Sequence, residues 1–234
     1  MYDFMVIGHR GAAGYEPENT LRSFQKAIEL GVDWIELDVR RTADGHIVVM
    51  HDDTVERTTN GRGKVSEMSL ADIRKLDAGK GEKVPTLQEA IDLVKSGQKK
   101  LIIELKLEGL ENDVIDIVEK NNFSEDCIIS SFFYYSIRRV KELRPGIMTA
   151  AIASKLPIEF HRLHNDFLAD TIFLRKDIVS RDIVDEAHRD GFLVCVWNID
   201  DSRDVARYAD MGVDFISSNY PDRLRQIEPH AVTA

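Results

Sequence analysis

Short apolar runs rich in Ile and Val alternate with helix-period segments along almost the whole chain, and few architectures accommodate that rhythm. The runs read as buried strand and occupy 4–8 (FMVIG), 34–39 (WIELDV), 100–106 (KLIIELK), 127–132 (CIISSF), 147–153 (IMTAAIA), 171–175 (TIFLR), 192–197 (FLVCVW) and 215–218 (FISS). The helices between them carry start and stop signals. Thr20 precedes LRSFQKAIEL, with Gly31 after it; Thr86 opens the capping box TLQE of a helix closed by Gly97; Ser180 and Ser202 open two more, followed by Gly191 and Gly212. Such alternation builds βαβ units, hence a parallel sheet with helices outside it. Eight runs predict a closed (β/α)8 TIM barrel, whose usual size is about 250 residues, as one domain over 1–234. An open doubly wound sheet is the alternative, but the GxGxxG fingerprint expected after its first strand is absent. GRGK (61–64) and GKGEK (79–83) read as turns rather than phosphate-binding loops.

Composition narrows the partners. With 31 basic against 41 acidic side chains and a net charge of -10, there is no stripe of Lys and Arg for a nucleic-acid backbone and no polybasic run for a membrane surface. The N-terminal MYDFMVIGHR has neither a basic start nor a long apolar segment, and no run approaches the ~20 apolar residues that span a bilayer. Cys127 and Cys195 sit inside apolar runs, where a thiol behaves as a small hydrophobe. A cytoplasmic protein without an extended polyanionic partner is expected, with self-association left open.

One run breaks the alternation. HIVVMH (46–51) follows WIELDV too closely for a helix to intervene, and Asp44-Gly45 lies in the link. That dipeptide favours a two-residue type I′ turn, so a β-hairpin excursion after the second strand is predicted. Centred on the turn, it pairs Arg40 with Val49 and Asp38 with His51, and places Glu36, Asp38 and His51 on one face.

Polar residues also end other apolar runs: His9 and Arg10 after the first, Glu104 and Lys106 in the third barrel strand, Trp197 and Asn198 near the last. The C-terminal end of such a barrel is where its active sites lie. Neighbouring strands, roughly 4.8 Å apart, bring His9, Glu36, Asp38, Glu104 and Lys106 together there. Carboxylates crowded into a partly dry mouth cost several kcal/mol per ion, about the penalty for burying a charge, unless a cation neutralises them. An all-oxygen set favours Mg²⁺ or Ca²⁺ over a structural zinc. Each residue alone has a plainer reading as a strand-end polar group, a salt-bridging Arg, a snorkelling Lys or a core Trp; repetition on adjoining strands carries the case. His46, His161, His164, His188 and His230 are read as ordinary surface or loop residues.

The segments GHRGAAGYEPENTLRSF, WIELDVRRTADGHIVVMHDDTVERTTNG, VPTLQEAI, LIIELK, ISSF, VWN and GVDFISSNYPD, in that order, resemble the glycerophosphodiester phosphodiesterase family over nearly all of the chain. The resemblance implies a metal-dependent barrel hydrolysing glycerophosphodiesters to an alcohol and sn-glycerol 3-phosphate. It implies His9 of HRG and His51 of HDDT as the acid/base pair, Glu36, Asp38 and Glu104 as metal ligands, Arg10 and Lys106 as phosphate contacts, and Trp197 as an aromatic wall near the glycerol. The nucleophile is water or the neighbouring glycerol hydroxyl. The chain departs from the family pattern at ISSNYPD and VWNID, which touches substrate fit rather than chemistry. Residues 54–84 form a short insertion with one helix opened by Ser69, expected near the mouth as a lid that leaves the cleft open to small head groups. A lysophospholipase D-type activity, a barrel enzyme acting on another phosphorylated small molecule, and a non-catalytic binding module are the rivals; the two histidines weigh against the last.

Overall fold

The computed structural model describes residues 3–155, 157 and 159–225. Its strands are β1 Met5–Gly8, β2 Trp34–Arg41, β3 Ile47–Val49, β4 Lys100–Leu105, β5 Cys127–Ser131, β6 Met148–Ala153, β7 Thr171–Arg175, β8 Leu193–Trp197 and β9 Phe215–Ser218. Its helices are α1 Leu21–Glu29, α2 Leu70–Ile73, α3 Leu87–Ser96, α4 Glu111–Lys120, α5 Tyr134–Leu143, α6 Phe160–Asn165, α7 Arg181–Arg189 and α8 Ser202–Asp210. All strands but β3 pair in parallel, and β1 pairs with both β9 and β2, so the sheet closes into a (β/α)8 barrel. No helix among the described residues is long and apolar enough to cross a membrane.

The helix starts follow from capping. Thr20, Ser69, Thr86 and Ser180 each accept a backbone N–H of the first turn through the side-chain oxygen, and Thr86 with Glu89 completes the reciprocal capping box. At α8 the cap is Asp201 instead of the expected Ser202, its carboxylate accepting from the Arg203 N–H. A carboxylate there also complements the positive end of the helix.

Alternation along the strands divides the core into two. Outward residues such as Val6, Ile35, Leu37, Ile103 and Val196 pack beneath the helices, while Ile7, Trp34, Ile102, Ile128, Ala150, Phe173, Cys195 and Phe215 fill the barrel. Both cysteines are free and buried, and burial pushes the Cys127 thiol up to about 12 and Cys195 well above its ordinary value.

The hairpin forms one residue out of the expected register. Val39 faces Val49, Arg40 faces Val48 and Arg41 faces Ile47, so Asp38 is not directly opposite His51. The link is a three-residue loop, Ala43 to Gly45, closed by the Thr42 N–H donating to the His46 carbonyl. Gly45 has φ +84 whereas Asp44 is not left-handed, which fits a turn followed by a glycine bulge and excludes the I′ turn. Asp44 is held instead by the Leu70 N–H at 3.0 Å.

Residues 54–84 build a small core of their own on the outer face of the hairpin: Val55, Val65, Ile73, Ala78 and Val84 bury against Val48 and Met50. Lys80 Nζ donates to the Tyr15 carbonyl at 3.0 Å and to Glu16 Oε2 at 2.7 Å, tying the segment to the β1–α1 loop.

Candidate active site

At one level of the barrel the inward-pointing residues switch from apolar to polar. Along β2 they run Trp34, Glu36, Asp38; on β4, Ile102 gives way to Glu104; past the ends of β4, β1 and β9 come Lys106, His9 and Asn219. The β2–β4 register sets Asp38 beside Glu104. This answers why a buried strand reads E-x-D: two successive inward positions lie at the mouth, where burial still excludes bulk water. The cleft above is lined by His9, Arg10, Glu36, His51, Glu104 and Lys106. Phe132 and Trp197, edge to face at 6.3 Å, add an aromatic part to the lining. The sequence-derived candidates therefore converge; Asp38 lies just beneath, fully buried.

Oxygens of Glu36, Asp38 and Glu104 lie within 4.8 Å of one another. Their cationic neighbours are Arg10, whose Nε is 3.1 Å from Asp38 Oδ2, and Lys106, whose Nζ is 3.5 Å from Asp38 Oδ1 and donates to Glu104 Oε1 at 2.6 Å. Asn19 Nδ2 donates to Asp38 Oδ2 at 2.8 Å, but Asp38 Oδ1 accepts no hydrogen bond. Two cations against three carboxylates leave the group short of positive charge, and the protonation tendencies say so. Burial, then Asp38 and Glu104, push Glu36 well up; burial and Asp38 raise Glu104 to about 7. Burial works against Asp38 as well, but Arg10 and Lys106 outweigh it and hold that carboxyl down. An orphaned buried carboxylate oxygen in an all-oxygen donor set fits a hard divalent cation.

The HRG turn explains how Arg10 enters this ring. Arg10 is left-handed at φ +51, which aims its N–H at Glu36 Oε2, 2.9 Å away. Gly11 follows at φ +86, and a Cβ there would lie 2.4 Å from Ser23 Oγ. Only glycine lets the chain turn back so tightly against α1. The arrangement stores strain at the site, as functional turns often do.

Each imidazole is held by its far nitrogen. His9 Nδ1 is 2.8 Å from Asn219 Oδ1, and the amide cannot turn round because Asn219 Nδ2 donates to Asp200 Oδ2 at 2.7 Å. The Asn198 amide nitrogen also lies 3.1 Å from Nδ1; with the Asn219 oxygen as its acceptor, Nδ1 carries the hydrogen and Nε2 keeps its lone pair, 4.0 Å from Glu36 Oε2. Burial and Arg10 push His9 down to about 4, so it is neutral near pH 7. His51 reaches the cleft by a bend beyond Met50 rather than by strand alternation. Its Nδ1 is 2.7 Å from Asp52 Oδ1, and burial lowers it as well.

Asn219, Asp200, Asp52, Asn19, Glu18 and Phe132 all touch this machinery and were not among the sequence candidates. A signal existed for two of them. Asn219 ends the last strand as His9 ends the first, and Asp52 directly follows His51. The remaining histidines behave as ordinary residues where described: His46 sits 3.3 Å from Asp44 and His188 bonds Asp214 at 2.9 Å. His161 and His164 are exposed, and His230 lies outside the described residues.

Known proteins resemble the chain over nearly its whole length. Over 243 aligned residues the chain is 35% identical to a glycerophosphodiester phosphodiesterase of Caldanaerobacter subterraneus subsp. tengcongensis, covering 94% of this chain and 96% of that one. A Bacillus subtilis glycerophosphodiester phosphodiesterase is 30% identical, with 96% of this chain and 86% of its own length covered. The fold superposes with TM-score 0.90 on an Oleispira antarctica phosphodiesterase in complex with the product sn-glycerol-3-phosphate, at 30% identity over 94% of this chain and 95% of that one. Residues 9–223 match the model of the glycerophosphoryl diester phosphodiesterase family. A closed barrel whose mouth gathers HRG, ELD, HDD and ELK, together with these full-length likenesses, means that the chain belongs to the glycerophosphoryl diester phosphodiesterase family.

Proposed function

We propose that this chain hydrolyses glycerophosphodiesters to an alcohol and sn-glycerol 3-phosphate, with Mg²⁺ or Ca²⁺ held by Glu36, Asp38 and Glu104 and with His9 and His51 moving the protons. The observation that carries the reading is the meeting of three acidic oxygens within 4.8 Å between two histidines that both keep Nε2 free. Bound there, the cation would polarise a non-bridging phosphate oxygen and offset charge building on it. With a divalent ion and a monoanionic diester added, the two cations and three carboxylates of the ring come to neutrality.

The protein's own groups do the rest. Arg10 and Lys106 reach the phosphate from the ring, and Trp197 and Phe132 supply an apolar wall for the carbon skeleton. His9, neutral and backed by a carboxamide, accepts a proton from the nucleophile at Nε2. His51, backed by the Asp52 carboxylate, retains a proton more readily and delivers it to the leaving oxygen. Residues 54–84 stand beside the mouth and give no side chain to the cleft lining, which leaves room for small polar head groups. Two buried free thiols suit a reducing, cytoplasmic setting.

Glycerophosphocholine is the direct test. Glycerol 3-phosphate should appear with Mg²⁺ or Ca²⁺ and stop with EDTA; release of phosphocholine instead, or turnover indifferent to chelator, sinks the reading. A binding experiment adds an independent check. Glu104, raised to about 7, and Glu36, also raised, bind protons in the folded protein that the unfolded chain has already released. Cation-free stability therefore falls as pH climbs from the ordinary carboxylate range through about 7. A cation must displace those protons, so its rise in Tm is expected to be larger at pH 8 than at pH 5. An equal rise at both would place the cation elsewhere.

A further inference from the structure

We propose that Arg57, which touches neither cleft nor carboxylate cluster, is the positioning residue that locks His51 and Arg10 into one frame. It rests on the roles given above to those two residues. Arg57 forks twice. Its Nε donates to Asp52 Oδ2 at 2.6 Å and its Nη2 to Asp52 Oδ1 at 2.9 Å; on the other side Nη1 donates to Glu18 Oε2 at 2.8 Å and Nη2 to Glu18 Oε1 at 2.8 Å. The two carboxylates it holds are the ones that orient the machinery: Asp52 Oδ1 accepts from His51 Nδ1 at 2.7 Å, and Glu18 Oε1 accepts from Arg10 Nη1 at 2.8 Å. A continuous chain of charge-assisted hydrogen bonds thus runs from His51 through Asp52, Arg57 and Glu18 to Arg10, which is in turn ion-paired with Asp38.

Three features argue for positioning over stability. First, the Arg57 side chain is 48% exposed, so solvent screens its ion pairs and keeps their part in stability modest. Second, the geometry needs a planar fork: four N–H bonds to two carboxylates on opposite sides exceed what the point-like ammonium of lysine supplies. Third, the base of Arg57 is rigid. Val55 is fully buried in the small core of residues 54–84, and the Thr59 N–H and hydroxyl both return to the Val55 carbonyl. The inserted segment therefore acts on the reaction through one side chain, not by covering the cleft.

Arg57→Ala and Arg57→Lys test this, alone and combined with Asp52→Asn. Arg57→Ala should lower kcat on glycerophosphocholine by about 10–100-fold, the loss typical when an outer-shell partner goes, with KM within a factor of about three and Tm nearly unchanged. Arg57→Lys keeps the charge and should not restore kcat. Because Arg57 acts on His51 through Asp52, adding Arg57→Ala to Asp52→Asn should cost far less than it does in the wild type. Long-range ¹H–¹⁵N spectra of the His51 ring, taken at a pH where it is neutral, supply a readout free of turnover: the Nδ1–H tautomer in the wild type, a mixture with Nε2–H in Arg57→Ala. Full rescue by lysine, additive losses in the double variant, or an unchanged ring spectrum would each overturn the proposal. Should the wild type not cleave glycerophosphocholine while the spectrum still shifts, the proposed substrate fails and the positioning role stands.

Discussion

Asp38→Asn is expected to cut turnover of glycerophosphocholine by at least about 10²–10³-fold, the loss that follows removal of one preorganised electrostatic group, and to abolish the cation-induced rise in Tm. Asp38 is the hub of the ring. It sits within ion-pair distance of Arg10 and Lys106, accepts from Asn19, and offers a fully buried carboxylate oxygen that lacks a hydrogen bond. An amide keeps nearly the same shape and removes the charge, so the loss reports electrostatics rather than packing. Its effect on cation-free stability is the difference of two terms. Arg10 loses a buried partner, but it retains Glu18 at 2.8 Å, which keeps the penalty near the ~1–3 kcal/mol of a single unsatisfied polar group. Against this, Glu36 and Glu104 are both relieved of the neighbour that raises them. The signature is thus a modest change in Tm without cation and a lost response to it. Wild-type turnover with an intact cation response would show that these carboxylates hold no metal.

How much of this was legible in the sequence depends on the range of the deciding interaction. Strands covered on both faces leave continuous apolar runs, and the switch to Glu36, Asp38 and Glu104 inside them marks the level of the mouth; both are local signals. The hairpin register was not. Asp44-Gly45 suits a two-residue I′ turn and also a three-residue loop ending in a glycine bulge, and these differ by one residue. The Asp44 carboxylate is held by the Leu70 N–H at the start of α2, 26 positions downstream, and no reading of the turn itself reveals that. Asn219 illustrates the same limit across 210 positions: its bond to His9 exists only because the barrel closes β9 onto β1. Arg57 is hidden differently. In the sequence it belongs to a polar loop, and its meaning comes from the two carboxylates that the β1–α1 loop and the hairpin present to it.

The histidine assignments make the other large prediction, and the leaving group separates the two roles. His9→Ala and His51→Ala should each reduce turnover of glycerophosphocholine by about 10²–10⁴-fold, the usual worth of a positioned acid or base. A choline alkoxide departs badly without a proton, so loss of the acid is as damaging there as loss of the base. Replace choline by p-nitrophenol, whose phenolate leaves unaided, and the acid becomes dispensable while the nucleophile still needs its proton removed. His51→Ala should then recover most of the lost rate, whereas His9→Ala should remain as impaired as before. The backing groups set this direction: a carboxylate behind His51 steadies the imidazolium, while a neutral carboxamide and nearby Arg10 keep His9 unprotonated. The opposite pattern would exchange the two roles. Equal impairment of both variants on both substrates would mean that His51 does not protonate the leaving oxygen, and that its bond to Asp52 serves binding rather than proton transfer.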